Sequence, residues 1–126
     1  LIDGGSVEND TIAHLESWVD IHMLGVNLDD AKSNLKALID KGSTVPVNYL
    51  DMALAKPISE EVVSCEVLGI GTPKAIILQD AQLGDQVVKS GRTTGVTCGR
   101  VCADDVDIFV RYPVGVALFL DSLAVT

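Results

Sequence analysis

The side chains in this sequence best suited to catalysis are one acid, two histidines and three cysteines. Asp51 is the single acid in a short apolar segment at 50–55. Cys98 with His14 or His22 and Asp51 would make the nucleophile, base and acid of a cysteine peptidase. Beyond the nearby Arg92 and Arg100, nothing in the local sequence favours a thiolate. We therefore do not favour this combination, and Asp51 alone is also typical of a turn or cap residue.

The cysteines do not form a metal-binding pattern either. Cys98 and Cys102 are four residues apart, whereas a structural zinc site uses a C-x-x-C pair and further ligands. His14 lies on the polar side of its segment, which predicts a solvated side chain. The three cysteines (Cys65, Cys98 and Cys102) are predicted to be small buried residues in a reducing compartment, a weak indication of the cytoplasm. No metal or cofactor is predicted.

Residues 87–101, VVKSGRTTGVTCGRV, are the most informative segment. Gly91, Gly95 and Gly99 recur every four residues, and glycine in a strand marks a bulge, a sharp corner or a close backbone approach. The segment therefore predicts a strand, a corner centred on Arg92 and a second strand. A phosphate-binding loop is excluded, because that loop opens a helix and here strand residues follow.

Hydrophobic periodicity predicts one helix and several strands around this segment. The helix covers 29–41, with Asn27 or Asp29 as its cap and Lys41-Gly42 as its end. Period-two alternation favours a half-buried strand within 11–21. A helix is the alternative there, since Ile12, Leu15, Trp18 and Val19 also fit a helical spacing. The remaining strands are predicted at 62–70, 75–78, 86–89, 95–103, 106–112 and 116–125, with turns at 82–85, 103–105 and 113–115. The chain is therefore expected to be mainly β.

Composition excludes several classes of protein. The chain has 126 residues, 48% of them hydrophobic, which is enough for a core and argues against intrinsic disorder. Its net charge of −9 disfavours nucleic acid and anionic membrane surfaces as partners. Its apolar runs are far too short for a membrane-spanning helix. Both ends look cut, which suggests a piece of a larger protein.

The segment at 87–101 resembles the start of the second barrel in a group of trypsin-like serine peptidases. This group is bacterial and archaeal, with the plant narrow-leaf proteins as relatives. Three further segments are similar to the family: VNYLDMALA at 47–55, VLGIG at 67–71 and ALFLDSL at 117–123. The resemblance spans roughly 1–26 and 44–126, and the helix at 29–41 looks like an insertion.

The resemblance implies a role for Asp51. In the family, the acid at the matching position of the 47–55 segment is the triad acid. The family histidine lies in a Ser-x-x-His-Val segment and the nucleophile in a Gly-Asp-Ser-Gly segment, and neither pattern occurs in these 126 residues. Ser-His-Asp catalysis needs all three groups and an oxyanion hole. We therefore expect an internal fragment of a peptidase that is inactive by itself.

The family fold implies a partial double β-barrel. Residues 1–61 would form part of the first barrel with the helical insertion, 62–81 the region linking the barrels, and 82–126 the opening strands of the second barrel. The expected partner is a peptide or protein substrate in the parent protein. The alternative is a non-catalytic β-rich binding or assembly module, in which open sheet edges recruit a second copy of the chain.

Overall fold

The computed structural model describes residues 6–74 and 80–126, and the predicted edge strand at 75–78 lies outside them. The protein is mainly β, as the sequence predicts. Its elements are β1 (Ala13–Trp18), β2 (Met23–Gly25), α1 (Leu28–Asp40), β3 (Ala53–Pro57), β4 (Gln86–Gly91), β5 (Gly95–Tyr112) and β6 (Gly115–Val125). Strands β1 and β3 form one antiparallel sheet, and the second sheet has the order β2-β6-β5-β4. Neither sheet closes into a barrel among the described strands.

Helix α1 forms where the sequence predicts it. The Asn27 side chain caps it by accepting a hydrogen bond from the backbone N–H of Asp30 at 3.0 Å. Asp29 and Asp30 lie in the first turn, where the helix dipole favours negative charge. No helix within residues 6–74 and 80–126 has the length and apolar character needed to cross a bilayer.

The described residues divide into two compact units that interleave along the chain. The core unit (residues 20–51, 80–87 and 98–126) contains the apolar cluster of Leu24, Ala31, Val116 and Leu118. Helix α1 contributes Ala31 to this cluster, and the other three residues come from β2 and β6. These units do not follow the divisions at 61 and 81, and the assignment of segments to two barrels stays a prediction.

The small unit (residues 6–19, 52–74 and 88–97) contains the β1–β3 sheet. The strand predicted within 11–21 is confirmed as β1, but its predicted half-burial is wrong. Leu15 and Trp18 are each 62% exposed, and Leu54 on β3 is 53% exposed. A two-stranded sheet buries apolar side chains only when something packs on one of its faces. Leu15 on β1 and Leu54 on β3 remain exposed within the small unit.

The predicted turn at Ala103–Asp105 is also wrong, because β5 continues through it. Strand β6 runs beside both halves of β5, and the pairing shifts register between Val101 and Ile108. Asp105 on β5 and Asp121 on β6 have positive φ values of 51° and 54°. Aspartate tolerates this conformation better than most residues, so it suits a bulge as well as a turn.

The strand predicted at 62–70 does not form either. Residues Glu60–Val62 make a 3-10 turn, and Val67 bridges to Gly71 across a tight turn. The N–H groups of Ile70 and Gly71 both donate to the carbonyl of Val67, each at 2.9 Å. Because the backbone groups pair locally, the branched side chains of this segment do not produce a strand.

The predicted burial of the cysteines is wrong as well. Cys65, Cys98 and Cys102 are free and exposed. On β5, Val101 takes the inward position and is only 2% exposed. Successive side chains of a strand point to opposite faces, so Cys98 and Cys102 point outward with Arg100.

This exposure makes a direct prediction about thiol reactivity. In the native protein, all three thiols should react with a water-soluble disulfide reagent as fast as they do in denaturant, since no packing has to open first. The measurement is the absorbance of the thiolate that the reagent releases on reaction with each cysteine, followed over time. The guanidinium-unfolded chain is the control. A thiol that reacts only after denaturant is added would contradict the structure.

Candidate functional site

Asp51 lies at the end of the core unit, directly before the segment that leads into β3. Its side chain is exposed, and its Oδ2 accepts a hydrogen bond of 2.7 Å from the hydroxyl of Tyr112. Tyr112 is the last residue of β5 and pairs with Gly115 across the predicted turn at 113–115, which is confirmed. The structure therefore joins a candidate acid to a residue 61 positions away.

Asn48 fixes the backbone three residues before Asp51. Only 5% exposed, it is the single buried polar residue among those described. Its backbone N–H donates to the carbonyl of Leu118 and its own carbonyl accepts from Leu120, each at 2.9 Å. This pairing attaches the residues before Asp51 to β6 as a short parallel bridge opposite Phe119.

The Asn48 side chain adds three more hydrogen bonds. Its Oδ1 accepts from the backbone N–H of His22 at 2.8 Å, and its Nδ2 donates to the carbonyls of His22 and Leu118 at 3.0 Å each. An amide supplies both an acceptor and two donors, so it can satisfy these groups simultaneously. Asn48 thereby holds together the chain before β2, strand β6 and the segment carrying Asp51.

The contact with Asp51 raises the pKa of Tyr112 above its ordinary value of 10.0. The main cause is the hydrogen bond, because a phenolate could not donate to the carboxylate. Desolvation and the charge of Asp51 act in the same direction. The Tyr112 hydroxyl therefore keeps its proton, and its role as donor, throughout the neutral pH range.

The histidines considered as catalytic bases do not hydrogen bond to Asp51. The His22 imidazole is exposed and makes no hydrogen bond to Asp51, although its backbone is held by Asn48. His14 is exposed, as predicted, and lies opposite Lys56 on the β1–β3 sheet. No group of three or more metal-ligating side chains occurs within 6–74 and 80–126.

Residues 87–101 form the strand, corner and second strand that the sequence predicts. Strand β4 ends at Gly91, the turn covers 92–94, and β5 begins at Gly95 with φ +62°. The Lys89 ammonium donates to the Thr94 hydroxyl at 2.6 Å across the turn, and Arg92 is exposed within it. Gly95 closes the turn in a left-handed conformation that glycine adopts without strain.

Gly99 has a different role from Gly95. A Cβ at this position would lie 2.5 Å from the Val125 side chain and 2.7 Å from the Thr126 carbonyl. The next residue, Arg100, exchanges two backbone hydrogen bonds of 3.0 Å with Thr126. The glycine thus permits the close backbone approach that the sequence predicts, beside the end of β6.

Tyr112 and Asn48 are the site residues that sequence reasoning missed. Asn48 lies outside the predicted helix and strands, and Tyr112 lies in a predicted strand. The only signal is a polar residue between Val47 and Tyr49, in a segment otherwise rich in apolar side chains. That signal does not reveal its partners, which lie 26 and 70 residues away.

Comparison with known proteins adds no relative: no protein-family model matches the chain, and neither curated proteins nor solved structures show significant similarity to it.

The buried amide of Asn48 leads to a stability prediction. Replacing Asn48 with Ala removes three side-chain hydrogen bonds. It leaves the N–H and the carbonyl of His22 without this partner, while the Leu118 carbonyl keeps its bond to the Asn48 backbone, so it should lower the free energy of unfolding by about 3 kcal/mol. Urea unfolding measures this change, with the exposed Asn9→Ala as control, expected to stay within about 0.5 kcal/mol. A similarly small loss for Asn48→Ala would contradict the anchoring role.

Proposed function

We propose that this chain is a segment of a trypsin-like serine peptidase, in which Asp51 is the acid of a Ser-His-Asp triad. The fold of residues 87–101 carries the proposal. The segment that most resembles the family forms a β-hairpin with a three-residue turn, a left-handed glycine after the turn and a close-approach glycine on the second strand. Gly95 and Gly99 therefore each have a geometric reason to be where the family pattern has a glycine.

The environment of Asp51 fits the role of an orienting acid. Such an acid accepts a hydrogen bond from the histidine Nδ1–H, holds the imidazole in the correct tautomer and stabilises the imidazolium. Asp51 Oδ2 is engaged by Tyr112, and no described residue hydrogen bonds to Oδ1. Oδ1 is thus available to a histidine from another part of the parent protein. The nucleophilic serine that attacks the peptide carbonyl would also come from outside these 126 residues.

The peptidase proposal also assigns the strands of the two sheets to the two barrels of the family fold. Strands β4, β5 and β6 would be the opening strands of the second barrel, β1 and β3 late strands of the first, and α1 an insertion. The exposed apolar side chains of Leu15 and Trp18, which lie on one face of the β1–β3 sheet, support this assignment. A sheet with such a face is stable when further strands pack on it, and the remainder of a barrel would supply them.

The same exposed surface supports a second candidate, a non-catalytic β-rich binding or assembly module. Asp51 is exposed, and the apolar β1–β3 sheet could pair with a second copy of the chain. Under this alternative the 126-residue chain should form dimers at tens of micromolar by light scattering. Strictly monomeric elution would count against it.

The peptidase proposal predicts the effect of removing the acid. In the parent protein, Asp51→Asn should lower kcat for peptide hydrolysis roughly 10⁴-fold, because an amide favours the wrong histidine tautomer. The matched control is Asp107→Asn, an exposed acid on β5, which should leave kcat unchanged. The measurement is steady-state hydrolysis of a peptide substrate.

Two results would count against this proposal. An Asp51→Asn protein as active as the Asp107→Asn control would remove Asp51 from the triad. Turnover by the 126-residue chain alone, abolished by Asp51→Ala, would show that the histidine and the nucleophile lie within the chain.

A further inference from the structure

The hydrogen bond between Tyr112 and Asp51 connects two segments that the chain positions independently. Tyr112 is half-buried and held by the β5–β6 hairpin, where it pairs with Gly115. Asp51 is held through Asn48, whose backbone pairs with Leu118 and Leu120 on β6. Because both residues are anchored to β6, the 2.7 Å contact is supported from both sides.

A carboxylate with one oxygen hydrogen-bonded has less rotational freedom than one without a partner. The terminal torsion of an aspartate is broad, so an exposed Asp51 without a partner would rotate freely. Donation from Tyr112 to Oδ2 restrains the torsion of the carboxylate and favours orientations in which Oδ1 points away from Tyr112. Hydrogen bonds to charged groups are worth more than neutral ones, which makes this donor an effective restraint.

We propose, building on the peptidase function proposed above, that Tyr112 is a positioning residue, which orients the Asp51 carboxylate so that Oδ1 receives the Nδ1–H of the catalytic histidine. Tyr112 does not touch the reacting atoms. Its hydroxyl orients the carboxylate of Asp51, and that carboxylate in turn orients the histidine. The geometry also distinguishes the two tyrosines of the chain, since Tyr49 is 63% exposed and its hydroxyl makes no hydrogen bond among the described residues.

The test is Tyr112→Phe in the parent protein, which removes only the hydroxyl. Loss of carboxylate orientation should lower kcat roughly ten- to hundredfold, because small misplacements of catalytic groups cost factors of this size. KM for a peptide substrate should stay within about twofold, since Tyr112 makes no substrate contact in this account. Tyr49→Phe is the matched control and should change neither constant.

A double-mutant cycle separates positioning from general structural support. In an Asp51→Ala background, Tyr112→Phe should have no further effect on the residual rate, because the group that it orients is gone. If Tyr112→Phe lowers kcat equally in both backgrounds, or raises KM with kcat unchanged, the positioning role is overturned. Thermal unfolding of each variant shows whether a lower rate comes from a destabilised fold. A rate lowered in that way does not depend on Asp51, so it also counts against the positioning role.

The outcomes also distinguish this inference from the function on which it rests. If Asp51→Asn abolishes hydrolysis and Tyr112→Phe is as active as wild type, the positioning role fails and the peptidase function stands. If Asp51→Asn is fully active, the proposed function itself fails. The result expected is loss of kcat in Asp51→Asn and in Tyr112→Phe, with no additional loss when Tyr112→Phe is made in the Asp51→Ala background.

Discussion

The buried side chain of Asn48 is the interaction on which the arrangement of the core unit depends. Its amide hydrogen bonds to both backbone groups of His22 and to the carbonyl of Leu118, and its backbone pairs with β6. A buried polar group is costly when its partners are missing, so these contacts form together or not at all. With them in place, the residues that follow have a fixed path, and Asp51 meets Tyr112.

Local sequence signals predicted the elements whose structure is decided locally. Helix α1 has a cap, an apolar stripe and a stop within or beside its own residues, and Gly95 with its positive φ closes the β4–β5 turn locally. The predictions that are wrong concern features that depend on pairing with a neighbouring strand. Strand β5 passes through Asp104 and Asp105 because β6 runs beside it, and the outward direction of Cys98 follows from the inward position of Val101.

The candidate site also contains one residue that the sequence identifies and two that depend on contacts between distant segments. Asp51 could be identified from the sequence only through the resemblance of residues 47–55 to a peptidase segment. Tyr112 and Asn48 could not be identified, because their contacts span 61 to 70 residues and arise only when β5 and β6 pair. Periodicity assigns residues to strands and faces, but it does not state which side chains meet at the ends of those strands.

The most direct test of the proposed function is the position of Asp51 in a crystal structure of the longer peptidase that the proposal implies. The account predicts a histidine Nδ1 within hydrogen-bond distance of Asp51 Oδ1, roughly 2.6–3.2 Å, while Tyr112 still donates to Oδ2. The same histidine should face a serine hydroxyl through its other ring nitrogen. An Asp51 carboxylate that faces open solvent, with no histidine beside it, would contradict the peptidase assignment and favour a β-rich assembly module.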